Sequence, residues 1–201
     1  MKNRKDYYYR LAKKRGYRSR AAFKLLQINR TFRLIKKSDF VLDLGASPGG
    51  WSQVAIELGA RVVAVDLIPM EKIEGVKFIL GDIRSNKTLE MIKKVRDKYD
   101  VVISDASPKI TGKWDIDHLK SIELAEASFK IAKEVLKFNG NFLVKVFQGR
   151  EIKNFFNKLK IYFKFKKFHT PKASRKRSSE VYFIGKGFKR SKFDPNTHFK
   201  K

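Results

Sequence analysis

The sequence predicts a doubly wound α/β fold, and three observations carry that prediction. From Asp39 onward, short β-branched apolar runs alternate with segments of helical period, which is the rhythm of successive βαβ units. The strand candidates are nearly continuous hydrophobic runs, as expected where helices cover both faces of a sheet. At 201 residues with 42% hydrophobic content, the chain can bury one core without staples. One domain over 1–201 is therefore expected.

Taken in order, the chain opens with two short basic helices at 6–14 and 19–33, separated by a turn at Gly16, with Ser19 as candidate cap of the second. FVLDLG, RVVAVDL and VKFIL then read as strands, with WSQVAIELG as a helix between the first two and a further helix at 87–98. DVVISD at 100–105 is the fourth strand, and an amphipathic helix spans 117–138. The strand GNFLVKVF follows at 140–147. A helix at 151–159, a strand at 163–168, the basic loop PKASRKRSS and a last strand EVYFIG complete the pattern. Residues 190–201 read as a loose tail.

The net charge of +27 points to a polyanionic partner, and its distribution is more informative than its size. Residues 1–37 hold 14 Lys/Arg against one acid, and residues 150–201 hold 17 against three. Residues 38–149 hold 16 of each, so a neutral centre is flanked by two basic ends. Those ends carry apolar residues at helical spacing, among them Phe23, Leu26 and Phe155, so they read as folded basic surfaces. With no cysteine, and three histidines without paired ligand spacing, no metal is expected. No apolar run is long enough to cross a bilayer, which predicts a soluble cytoplasmic protein that makes no use of a membrane.

The turn after the first strand, Asp43-Leu-Gly-Ala-Ser-Pro-Gly-Gly-Trp51, sits where open α/β sheets bind nucleotides. Gly45, Gly49 and Gly50 allow backbone to approach a ligand, while Ser47 and Pro48 occupy positions that a dinucleotide fingerprint keeps open for pyrophosphate. Asp66, ending the second strand, can accept two ribose hydroxyls. Asp82, after the third, can reach an adenine amino group. With their neighbours Leu67 and Ile83, these acids predict S-adenosylmethionine, a nucleoside joined to an amino acid without phosphate. Trp51 reads either as part of this site or as plain core.

Lys145 interrupts the apolar strand LVKVF, and a lysine buried there needs partners or a task. Asp105 closes the neighbouring strand and Glu180 begins the last one, so both can reach one ammonium group. Asp105 is also a candidate cofactor contact. Lys24, on a basic helix, reads by spacing alone as a solvated cation.

These residues together bear a close resemblance to a known family. YYYRLAKKRGYRSRAAFKLLQIN, VLDLGASPGGWSQVA, VVAVDLIPM, GDIR, SDASP, FLVKVFQG and PKASRKRSSEVYFIGKGFK resemble the FtsJ-type ribosomal RNA large-subunit ribose 2′-O-methyltransferases in their compact, archaeal-like form, over nearly the whole chain. The resemblance implies a Rossmann-like class I methyltransferase fold, with a seven-strand mixed sheet whose last strand is antiparallel. It also implies a monomer without metal, and a Lys-Asp-Lys-Glu tetrad at Lys24, Asp105, Lys145 and Glu180. The implied substrate is a uridine ribose of large-subunit ribosomal RNA, free or in an assembled subunit. Lys109 departs from the asparagine frequent in the family after SDxxP, and no additional C-terminal RNA-binding domain is expected. RNA is then expected on the first helices and on Lys172, Arg175, Lys176 and Arg177, with steep salt dependence. The rival readings are a methyltransferase of transfer RNA or mRNA-cap ribose, a ribosome-assembly factor that binds RNA without catalysis, and, against the ribose chemistry the tetrad implies, a DNA- or membrane-binding module.

Overall fold

The computed structural model describes residues 4–175 and 178–189. Its elements are α1 (Arg4–Lys14), α2 (Ala22–Phe32), β1 (Phe40–Leu44), α3 (Gly50–Glu57), β2 (Arg61–Asp66), β3 (Val76–Leu80) and α4 (Asn86–Val95), followed by β4 (Tyr99–Ser104), α5 (Trp114–Val135), β5 (Leu136–Phe147), α6 (Ile152–Lys160), β6 (Phe163–His169) and β7 (Glu180–Phe188). The seven strands form one sheet in the order β3-β2-β1-β4-β5-β7-β6. Strands β1 to β5 pair in parallel, and β7 is antiparallel to both β5 and β6. The fold is thus the Rossmann-like arrangement expected.

Strand order reverses direction between β1 and β4, because the chain leaves β1 toward β2 and β3 and later returns on the other side. Crossovers that diverge in this way open a crevice at the carboxyl ends of those two strands. The Gly-rich turn follows β1 and Asp105 follows β4, so both face that crevice.

Alternation along the strands divides the core into two layers. Leu42, Val102, Phe142, Val144 and Phe183 point to the side of α4, α5 and α6, where they pack with Ile92, Phe129 and Phe155. Val41, Val101, Ile103, Leu143 and Tyr182 point to the other side, against Phe23, Leu25 and Ile28 of α2 and Val54 of α3. By the same alternation Asp43, Lys145 and Glu180 lie on the α2 side.

Three local expectations are corrected. Ser19 is not a side-chain cap: α2 starts at Ala22, its preceding residue Ala21 is already helical, and Ser19 contributes its carbonyl to the Ala22 N–H. Helix α5 begins at Trp114 and ends at Val135, three residues earlier than expected at each end, with Asp115 and Asp117 in its first turn. Strand β5 starts at Leu136, which pairs with Tyr99, and the Asn139-Gly140 turn signal lies inside it as an irregularity with Asn139 at φ 64°. Asparagine tolerates that left-handed conformation, so the strand passes through it. The expectations for Lys176, Arg177 and the tail at 190–201 lie outside the described residues.

Candidate active site

Lys145 and Tyr182 are direct cross-strand partners on β5 and β7, and Glu180 is two residues further along the same face. The Lys145 ammonium donates to the Asp105 carbonyl at 2.7 Å and lies 3.1 Å from its carboxylate. The Tyr182 hydroxyl donates to the same carboxylate at 2.9 Å. Lys24 descends from α2 and meets Glu180 at 2.6 Å, with its ammonium 5.7 Å from the centre of the Tyr182 ring. The four expected residues therefore converge, but as two ion pairs joined through Tyr182; Glu180 pairs with Lys24 instead of sharing Lys145.

Both lysines are buried, which is tolerable only because each has an anion at hydrogen-bond distance. Burial by itself would raise the pKa of Asp105, but the charges of Lys145 and Lys24 and the hydrogen bonds from Tyr182 and Lys145 carry it below the usual carboxylate value. Burial, with the nearby Asp105 and Glu180, pushes the Tyr182 phenol well above its ordinary value, so Tyr182 stays a neutral donor. Tyr182 is absent from the sequence-based candidates. Its signal was available: a tyrosine in an apolar strand, two residues from Glu180, has a hydroxyl that needs a partner.

The turn after β1 forms the second half of the site. Gly45 has φ 73°, and a Cβ there would lie 2.6 Å from the Ala106 backbone, so the turn is drawn against the segment carrying Asp105. Gly49, at φ 112°, precedes the first residue of α3. Asp66 accepts the backbone N–H groups of Ser47 and Ile68 at 2.9 and 2.8 Å, which locks β2 to the turn and leaves further lone pairs on both oxygens. Leu67 is 60% exposed beside it, an apolar side chain facing outward at a strand end. Ile83 is buried in the core with Val65, Ile79 and Ile92. Asp82 is engaged by Arg84, whose hydrogen bonds hold its pKa below the usual value.

Two residues at this turn have roles that periodicity did not reveal. Asp43 is fully buried; one carboxylate oxygen accepts from Ser52 at 2.7 Å and the other has no partner. Burial raises its pKa to about 7, the Ser52 hydrogen bond opposes this, and the charges of Asp105 and Asp66 add to the rise. Arg18 donates to the carbonyls of Pro48, Glu71 and Lys72 at 3.3, 2.6 and 2.9 Å, strapping the segment after β2 onto the turn. In sequence it looks like any other cation of the basic N-terminus. Trp51 is buried at the start of α3, tilts against Tyr182 at 5.9 Å and donates to the Ala21 carbonyl.

The basic arm and the basic loop are physically joined. Gln27 bonds to Tyr8 of α1 with one end of its amide and accepts the Ala173 N–H with the other, while Arg20 reaches the Ala173 carbonyl. Lys172 and Arg175 of this loop are exposed. His118 is committed to the Phe147 carbonyl and the Glu151 N–H, and among the described residues no group of three or more histidines and acids could hold a metal ion. No described helix is long and apolar enough to cross a membrane.

Comparison with known proteins gives a consistent result. Over 190 residues the chain is 70% identical to a ribosomal RNA large subunit methyltransferase E of Archaeoglobus fulgidus, covering 94% of this chain and all of the relative. A solved structure described as a ribosomal RNA methyltransferase of Plasmodium falciparum superposes with a TM-score of 0.78 at 29% identity, covering 86% of this chain and 98% of that one. A mycinamycin-pathway methyltransferase in complex with Mg, SAH and mycinamycin VI shares the fold alone, at TM-score 0.56 and 14% identity over 84% of this chain and 47% of its own. The family model for FtsJ-like methyltransferases matches residues 17–188, a span that contains the Gly-rich turn, both ion pairs and Tyr182. The chain belongs to the FtsJ-like methyltransferase family.

Proposed function

We propose that this methyltransferase acts in the cytoplasm as a monomer and transfers the methyl group of S-adenosylmethionine to a uridine ribose 2′-hydroxyl of large-subunit ribosomal RNA. The observation that carries the reading is the Lys145–Asp105 pair at the carboxyl edge of the sheet, directly beside the Gly-rich turn and flanked by the Lys24–Glu180 pair.

The residues of the turn fit the cofactor. Asp66 retains lone pairs for two ribose hydroxyls, and Leu67 offers an exposed apolar surface to a flat base. When bound, the cofactor supplies an electrophilic methyl group, and the protein's remaining task is alignment and management of one proton. Among the described residues Lys145 is held by Asp105 alone, through its carbonyl and its carboxylate, so its ammonium keeps a hydrogen for the substrate oxygen. That hydrogen orients the oxygen lone pair toward the methyl, and a lone pair in its place takes the proton. Tyr182 fixes Asp105, and through it Lys145. Lys24 and Glu180 hold the substrate side of the cleft, and the basic arm and loop hold the RNA phosphates.

The test is transfer of labelled methyl from S-adenosylmethionine to large ribosomal subunits lacking the modification, with free ribosomal RNA and transfer RNA in parallel. Label mapping to a large-subunit ribose is the expected outcome. Label confined to transfer RNA would reassign the substrate, and RNA binding without any transfer would leave a non-catalytic assembly factor.

A further inference from the structure

Residues 109–116 are exposed without interruption, yet they stand on a rigid base. The buried Asp117 accepts from the Thr111 N–H and hydroxyl and from the Gly112 N–H, at 2.8, 2.8 and 3.1 Å. One residue on, His118 ties the first turn of α5 to the Phe147 carbonyl, two residues beyond Lys145 on β5. On this platform Trp114 is 51% exposed, and among the described residues its ring has no aromatic or cationic partner. An indole left in water on a pinned backbone is an apolar surface that the fold itself does not use. Lys109 and Lys113 flank it without an anion partner among the described residues.

The location relates this surface to the active site. The loop that carries the segment begins at Asp105, directly after β4, and α5 lies on the opposite sheet face from α2. Trp114 therefore stands at the carboxyl ends of the strands, on the sheet face away from the basic arm, where RNA that continues past Lys145 would pass. Flat aromatic faces beside unpaired cations suit unpaired bases, whose stacking tolerates any sequence while the lysines follow the phosphates.

Resting on the reading of RNA as substrate, we propose that Trp114 is a stacking platform for an unpaired base next to the modified nucleotide, with Lys109 and Lys113 on the adjoining phosphates. The substrate is thereby a splayed single-stranded segment at this point, not a continuous duplex.

The test compares wild type, Trp114→Ala and Trp114→Phe for binding of a short single-stranded oligouridylate and of an RNA hairpin stem of equal length. Trp51 is buried, so quenching of the exposed tryptophan reports on Trp114. Expected are quenching by the single strand, a loss of affinity of about tenfold in Trp114→Ala, recovery in Trp114→Phe and an unchanged salt slope, since no phosphate contact is removed. S-adenosylhomocysteine binding, measured by calorimetry on the same proteins, stays at wild-type strength. Equal oligouridylate affinity in all three proteins overturns the platform while leaving the methyltransferase reading intact; so does an equal loss for stem and single strand. A Trp114-dependent self-association in sedimentation overturns it in favour of a second copy. Failure of wild type to bind any RNA overturns both readings.

Discussion

Strands β4 and β5 are bridged by a lysine–aspartate pair at each end, and the two pairs differ in everything but their chemistry. At the amino end Lys137 lies 2.7 Å from Asp100, with the side chains 40% and 26% exposed. At the carboxyl end Lys145 lies 3.1 Å from Asp105, with exposures of 4% and 16%. The first pair is solvated and Asp100 also accepts the Phe40 N–H, so its work is to join strand ends. The second is buried beside Tyr182 and Lys24, at the carboxyl ends of the strands. An ion pair between neighbouring strands is thus not a sign of function by itself. Burial at the switch point of the sheet is what separates the two, and it is the ground on which a catalytic role is proposed for the second alone.

The largest expected effect is at the buried pair. Lys145→Ala should lower kcat by roughly 10²- to 10⁴-fold, the range for loss of a positioned proton-handling group, with S-adenosylhomocysteine affinity near wild type. Single-turnover methyl transfer and calorimetry on the same protein check both halves. A Lys145→Ala protein that turns over normally would remove the distinction between the two pairs.

A second contrast concerns carboxylates at the same rim whose titrations oppose each other. Asp43 has a folded pKa of about 7, above the ~3.9 of an unfolded chain. Between those values the folded protein binds more protons, so this group makes stability fall as pH rises from about 4 to about 7, by on the order of 4 kcal/mol in all. Asp105 is depressed, so its contribution is present above the unfolded value and is lost only in more acid solution. Urea denaturation across pH 4.5–8 of wild type and Asp43→Asn should show a steeper decline with pH in the wild type. Parallel curves would mean that Asp43 does not carry the proton.

The sequence shows most of the fold and part of the site, for physical reasons that differ by residue. Parallel strands buried on both faces are continuous apolar runs, so β1, β2 and β4 stand out, and a charge that breaks or ends such a run marks the crevice, as Asp66, Asp105 and Lys145 do. Lys24 is legible only through family resemblance, because its partner Glu180 is 156 residues away and nothing on α2 distinguishes it from its basic neighbours. Tyr182 and Arg18 are hidden by opposite disguises, one as an ordinary strand aromatic and the other as one more cation among 14. The start of β5 is hidden because Asn139-Gly140 carries the chemistry of a turn but is held within a strand by pairing of Leu136 with Tyr99.

Tyr182→Phe tests how much of the buried pair's role depends on its surroundings. The ring remains against Trp51 and Lys24, and only the 2.9 Å hydrogen bond to Asp105 is lost. A hydrogen bond to a charged group contributes about 1.5–3 kcal/mol, so kcat should drop by roughly tenfold or more with little change in KM for the cofactor. Because Asp105 then loses a donor that favours its charged form, the acid limb of the kcat–pH profile should move to higher pH. A lower rate with an unmoved acid limb would assign Tyr182 to packing alone.

The smallest effect is expected at the other end of the same two strands. Lys137→Ala leaves Asp100 with the Phe40 N–H and with water, because the pair is already largely solvated. Exposed pairs contribute about 0–1 kcal/mol, and that is the range expected for the loss in chemical denaturation. The residue lies at the amino edge of the sheet, away from the crevice, so kcat and KM should stay within about twofold of wild type. A stability loss that shrinks as salt is raised would identify the Lys137 contribution as a screened surface interaction. A large loss of activity in Lys137→Ala, with stability intact, would mean that the two ends of β5 are coupled and that burial does not divide structural from functional ion pairs here.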